Sequence, residues 1–171
     1  MDGYTHIVHG FAPVYDKNSR ILILGSLPSV KSREEGFYYG HPRNRFWAVT
    51  AALAGKPLPK TIDEKKAMLL GAGIAVWDVV SECDIIGSSD ASIKNVVPTD
   101  LCGIIACCPD IAVFANGGTA ARLYAKYQQK KTGRPAVSLP STSPANAAWS
   151  IDKLIARWST LTAGYLQSSG L

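Results

Sequence analysis

Four short apolar runs, rich in β-branched residues and each ending near turn residues, constrain this fold more than anything else in the chain: Ile21–Gly25, Ile74–Asp78, Ile111–Asn116 and Ala136–Leu139. None shows the polar alternation of a strand with one wet face, so each reads as a strand buried on both sides. Stretches with helical spacing separate and follow them: Arg45–Ala54, Ile62–Leu70, Asp100–Cys107, Thr119–Gln129 and, last, Ala147–Leu161. The pattern predicts an α/β fold with an open, parallel, four-stranded sheet and helices on both faces. Across the 171 residues there is no internal repeat, low-complexity tract or long linker, which predicts a single domain over 1–171. In open sheets ligands gather beyond the carboxyl ends of the strands. The places to inspect are therefore Gly25-Ser26-Leu27-Pro28-Ser29, Asp78, Asn116-Gly117-Gly118 and Pro140-Ser141-Thr142-Ser143-Pro144.

Charge narrows the partner. Eighteen Lys and Arg stand against thirteen Asp and Glu, a formal +5 with pI about 9.1, which favours a polyanion. The four cysteines, Cys83, Cys102, Cys107 and Cys108, lack the spacing of a zinc site or an iron-sulfur loop and read as buried, reduced thiols. No HExxH, Walker or paired-carboxylate pattern occurs, so no metal, nucleotide or other cofactor is expected. The first ten residues hold no apolar run of signal-peptide length, and no segment approaches the ~18 apolar residues of a membrane span. The expectation is a soluble, monomeric, cytoplasmic protein with no membrane partner.

The most informative segment is GSLPSVKSREEGFYYGHPRNRFW, from Gly25 to Trp47. Its small residues at a strand end let a nucleic-acid backbone approach, Arg43 and Arg45 can meet phosphates, and Tyr38, Tyr39 and Phe46 can stack on bases. The alternative is a Pro-Gly loop whose aromatics plug the core.

FYYGHPRNRFW resembles the segment after the first motif of mismatch-specific uracil glycosylases, GSLPS resembles the first motif of the uracil-DNA glycosylase superfamily, and LPSTSPAN its second. The matched segments run in the right order from about Ile21 to Trp158. Two departures point to a branch. Leu27 stands where other branches carry a water-activating Asn or Asp, and Ser141 where they usually carry His or Asn. That combination resembles the hypoxanthine-DNA glycosylase branch, which implies that the chemistry moves to an Asn in the following loop. The resemblance thus implies a monofunctional glycosylase acting on deoxyinosine in damaged DNA. Uracil or mispaired bases, or a non-catalytic nucleic-acid-binding module on the same fold, are the alternatives.

Asn44 is the candidate catalytic group, its amide positioning water beside C1′ of a flipped sugar; the alternative is a cap for the helix that follows. His41 is its rival, able to carry charge near the leaving base or to serve only as a loop hydrogen-bonder. For the base itself the candidates are Gly25, Ser26, Phe46, Asp78 and Ser141. Asp78 would accept from N1–H, or else form an ion pair, and Phe46 would stack, or else plug the core. For DNA they are Pro28, Ser29, Arg43, Arg45, Thr142, Ser143, Pro144, Ala145 and Asn146, with Ala145 or Asn146 entering the gap left by the flipped base.

Overall fold

The structure is a computed structural model and describes residues 3–166. In chain order its first half contains β1 (Thr5–Val8), β2 (Ile21–Gly25), α1 (Val30–Glu35), α2 (Phe46–Ala54), α3 (Ile62–Ala72), β3 (Ile74–Asp78) and β4 (Val80–Ile85). The second half contains β5 (Lys94–Pro98), α4 (Cys102–Cys107), β6 (Ala112–Asn116), α5 (Gly118–Tyr127), α6 (Gln129–Thr132), β7 (Ala136–Leu139) and α7 (Ile151–Thr162).

The expected sheet is present, all parallel, in the order β3-β2-β6-β7. Strand β2 lies inside it, and every one of its residues is buried. Because successive side chains point to opposite faces, Ile21 and Ile23 join the core containing Phe46, Leu69, Leu154 and Trp158 from α2, α3 and α7. Leu22 and Leu24 join the opposite core, with Ile104 of α4 and Tyr124 of α5. This double burial is why the strands lack polar alternation.

A second, antiparallel sheet of order β1-β4-β5 was not legible in the sequence. Its strands carry Glu82, Asp84, Lys94 and Asn95 and are only partly buried, so they produce no apolar run. The chain passes from β3 into β4 through Val79 alone, leaving Asp78 at the junction of the two sheets.

Helix α1 was also unforeseen. It spans six residues, capped by Ser29, whose Oγ accepts from Ser32 N at 3.2 Å, and closed by Gly36 at φ 71°. Helix α7 begins four residues later than its spacing predicts, because Ser150 caps it by accepting from Lys153 N. No helix among the described residues is long and apolar enough to cross a membrane.

Candidate functional site

A cavity of about 920 Å³ opens where the carboxyl ends of the parallel strands meet the loops between them. The four strand-end segments singled out in the sequence all line it, joined by Tyr39, His41 and Asn44 from the loop before α2. Its volume lies within the range of small-molecule sites.

Asn44 is held by a chain of hydrogen bonds. Its Oδ1 accepts from Phe46 N at 2.9 Å and from Thr142 Oγ1 at 2.8 Å. Thr142 Oγ1 in turn accepts from Asn116 Nδ2 at 3.0 Å, Thr142 N donates to Asn116 Oδ1 at 3.1 Å, and Asn116 Nδ2 also donates to the Tyr39 hydroxyl at 3.2 Å. A backbone N–H can only donate, so the Asn44 oxygen must face Phe46. Both oxygen lone pairs are then engaged, and the Asn44 NH2 group donates to no protein atom among the described residues. Asn44 therefore accepts the first N–H of α2 from one residue ahead of the N-cap Arg45, and it also lines the cavity. The oxygen is occupied, and the NH2 group is the end of the amide left open at the cavity.

The aromatic assignment is corrected. Phe46 is completely buried and does not line the cavity. Tyr39 covers its face, with ring centroids 3.9 Å apart and planes 17° from parallel. Tyr39 is partly exposed, lines the cavity and sits at φ 51°, a conformation uncommon for a bulky residue. Tyr38 is a core plug whose hydroxyl donates to Ala12 O. Burial, and after it the negative charge of Asp78, push both phenols well above their ordinary range, so neither ionises near neutral pH.

Asp78 closes the inner end of the cavity, buried against a residue the sequence reading left unused. His9 Nε2 donates to Asp78 Oδ2 at 2.8 Å. Opposite Asp78 on the neighbouring strand is Gly25, where a Cβ would lie only 2.4 Å from Asp78 Oδ1 and 3.1 Å from the Tyr39 hydroxyl. Glycine is required there for space. His41 lines the cavity and accepts from Arg43 N through Nδ1 at 3.1 Å, so the proton of its neutral ring resides on Nε2.

Arg45 does not face outward as a phosphate contact. Its Nη2 donates to Ser143 O at 2.8 Å and Asn146 O at 3.1 Å, its Nε to Thr142 O at 3.3 Å, and its Nη1 to Trp149 O. The guanidinium ties the second-motif loop to the segment that leads into α2. Thr142 is fully buried, which removes it as a direct DNA contact, and Asn146 is tied back through Nδ2 to Ser141 O. Ser141 Oγ accepts from Ser143 N. At the loop's tip Ala145 remains exposed, beside the partly exposed Pro144.

Arg43 is exposed, as are the cavity-lining Ser29 and Gly118, whereas Pro28 is buried in the cavity wall and Ser26 partly so. Two cationic residues that the sequence reading missed, Arg33 on α1 and Arg157 on α7, also line the cavity. Arg33 lies on α1, which the spacing does not predict, and Arg157 lies on the exposed side of α7. Among the described residues no group of three His, Cys, Asp or Glu could hold a metal ion.

The family model of the Uracil DNA glycosylase superfamily matches residues 12–162. A Methanosarcina acetivorans protein named Hypoxanthine DNA glycosylase is 35% identical over 145 residues, 84% of this chain and 91% of that protein. A Methanosarcina barkeri protein of the same name is 39% identical over 87 residues, 50% of this chain and 55% of that one. A Methanosarcina acetivorans protein solved by solution NMR has the same fold, with TM-score 0.78 at 31% identity, over 92% of this chain and 96% of that one.

Proposed function

The chain belongs to the uracil DNA glycosylase superfamily, and from that premise we propose that it is a monofunctional DNA glycosylase that flips deoxyinosine out of DNA and releases hypoxanthine. One observation carries the reading. Leu27 packs against the apolar cluster of Ile7, Val80, Cys83 and Ile85, so the first motif offers no polar side chain there, while Asn44 holds a fixed amide with a free NH2 group at the cavity wall.

The extruded base stacks on the free face of Tyr39 and presents its N1–H to Asp78. His41 directs its Nε2–H toward the departing base. The C1′–N9 bond breaks with its electron pair leaving on the base, and the sugar passes through an oxocarbenium-like state stabilised by the flanking phosphates. Asn44 donates through NH2 to the incoming water, holding its oxygen toward C1′. An amide takes up no proton, so the water loses its proton to solvent only after its oxygen has bonded to C1′. Ser29, Arg43, Ser143 and the Pro144-Ala145 tip meet the DNA backbone and the gap left in the stack. The protein works on damaged DNA as a single-domain monomer, without metal or cofactor.

Duplexes carrying deoxyinosine, deoxyuridine or deoxyxanthosine test this directly. Free hypoxanthine should be released fastest. Faster uracil release would transfer the activity to uracil, whose N3–H Asp78 would accept equally, and release of no base would leave a binding module.

A further inference from the structure

We propose that His9 is a positioning residue for lesion recognition: it fixes the Asp78 carboxylate so that one oxygen is presented, as an acceptor only, to the ring N–H of the flipped base. The inference rests on the glycosylase reading above and extends it to a residue outside both motifs.

The pair is built for fixed geometry. The His9 and Asp78 side chains are only 4% and 5% exposed, and Nε2 meets Oδ2 at 2.8 Å. The imidazole is clamped by Phe11 at 4.5 Å and Tyr38 at 6.0 Å between ring centroids, while His9 N donates to Ser81 O at 2.7 Å. Asp78 is held from behind as well, its carbonyl accepting from Thr99 Oγ1 at 2.7 Å. With Oδ2 engaged, Oδ1 takes no hydrogen bond from the described residues and lies beside the side-chain-free Gly25 at the cavity wall.

A buried carboxylate is costly unless its oxygens receive donors. His9 supplies one, and a base entering the cavity supplies the other only if it carries a ring N–H at that edge. Hypoxanthine has N1–H there and uracil N3–H, whereas adenine presents the N1 lone pair, which the carboxylate repels. The His9–Asp78 pair thereby separates deaminated bases from the parent adenine without distinguishing one deaminated base from another. Without His9 the carboxylate is free to turn, and discrimination weakens together with rate.

Single-turnover excision from duplexes carrying deoxyinosine or N1-methyldeoxyinosine, with folding followed by thermal melting, tests the proposal in wild type, His9→Leu and His9→Gln. Loss of one charge-assisted contact predicts that His9→Leu excises deoxyinosine about 10- to 100-fold more slowly. Its preference for the unmethylated base should collapse in parallel, because the methylated base never used the contact. His9→Gln, which places a donor at the position of Nε2, should restore both rate and preference. If the Leu variant does not fold, His9→Asn, polar but too short to reach Oδ2, takes its place in the same comparison. A variant that slows both substrates equally, or keeps the wild-type preference, overturns the role of His9 and leaves the glycosylase reading standing. If wild type releases uracil instead of hypoxanthine, the deoxyinosine reading falls, and the same ratio measured on deoxyuridine and N3-methyldeoxyuridine decides His9. Release of neither base by wild type overturns both.

Discussion

The two ends of the Asn44 amide differ, the oxygen accepting from Phe46 N and Thr142 Oγ1 and the NH2 group meeting no protein acceptor among the described residues, and substitutions can separate them. Removing the side chain in Asn44→Ala takes the acceptor from the first N–H of α2 and leaves the buried Thr142 hydroxyl without its acceptor. The expected cost is about 1–2 kcal/mol of folding stability. Asn44→Asp keeps both acceptor positions and adds negative charge at a helix N-terminus, so its stability should stay within about 0.5 kcal/mol of wild type. It lacks the NH2 group, however. If donation to water is what matters, single-turnover excision should fall roughly a hundredfold in both variants, by analogy with loss of one transition-state donor. A fully active Asp variant would assign the task to the oxygen, and a fully active Ala variant would move it to His41. The sequence exposed Asn44 because it stands in a matched loop. It hid which end of the amide is free, since Thr142 lies 98 residues away.

At the scale of elements, Arg45 joins two loops that each carry part of the site. A planar guanidinium with several fixed donors can reach four carbonyls, whereas a lysine ammonium is a single point charge. Arg45→Ala should lower stability by about 2–3 kcal/mol, given charged hydrogen bonds to carbonyls that would otherwise lose their donor. Arg45→Lys should recover little of it, and denaturant unfolding of the two variants checks both. The second sheet has its own electrostatic joint. His6 of β1 sits opposite Asp84 of β4, donating at 2.8 Å, with Glu82 at 3.4 Å. The hydrogen bond to Asp84 raises the His6 pKa above its ordinary 6.5. Hydrogen bonds from Asn95 first, then His6, lower that of Asp84 below 3.8. His6 stabilises the fold fully below pH 6.5, and the effect is lost as pH rises through its raised folded value; the Asp84 contribution is present above 3.8 and lost as pH falls through its lowered one. The pair is thus fully effective between those limits. An NMR titration should place His6 above 6.5, and Asp84→Asn should bring it down; an unmoved His6 would show that the joint is not formed.

For the whole molecule, the formal charge of +5 matters through where the cations sit. Arg43 is exposed and Arg33 and Arg157 line the cavity, while the Arg45 guanidinium is occupied by backbone carbonyls. Affinity for undamaged duplex should fall steeply with salt, and Arg43→Ala should reduce the slope of log K against log salt by about 0.9 if it neutralises one phosphate. Folded Arg45→Lys should leave that slope unchanged, and an equal loss in both variants would return Arg45 to the phosphates. The parallel sheet was legible in the sequence because strands buried on both faces must be apolar at every position, a pattern contained in five consecutive residues. The location of the cavity followed, since it forms where those strands end. The β1-β4-β5 sheet, the partner of Asp78, the carbonyls that occupy Arg45 and the placement of Tyr39 over Phe46 were decided by the tertiary structure. His9 and Asp78 are 69 residues apart, and Arg45 reaches a carbonyl 104 residues away. Short-range spacing records which face of a strand or helix is apolar, but a side-chain hydrogen bond across such separations leaves no local periodicity, and only packing of the folded chain selects which donor meets which acceptor.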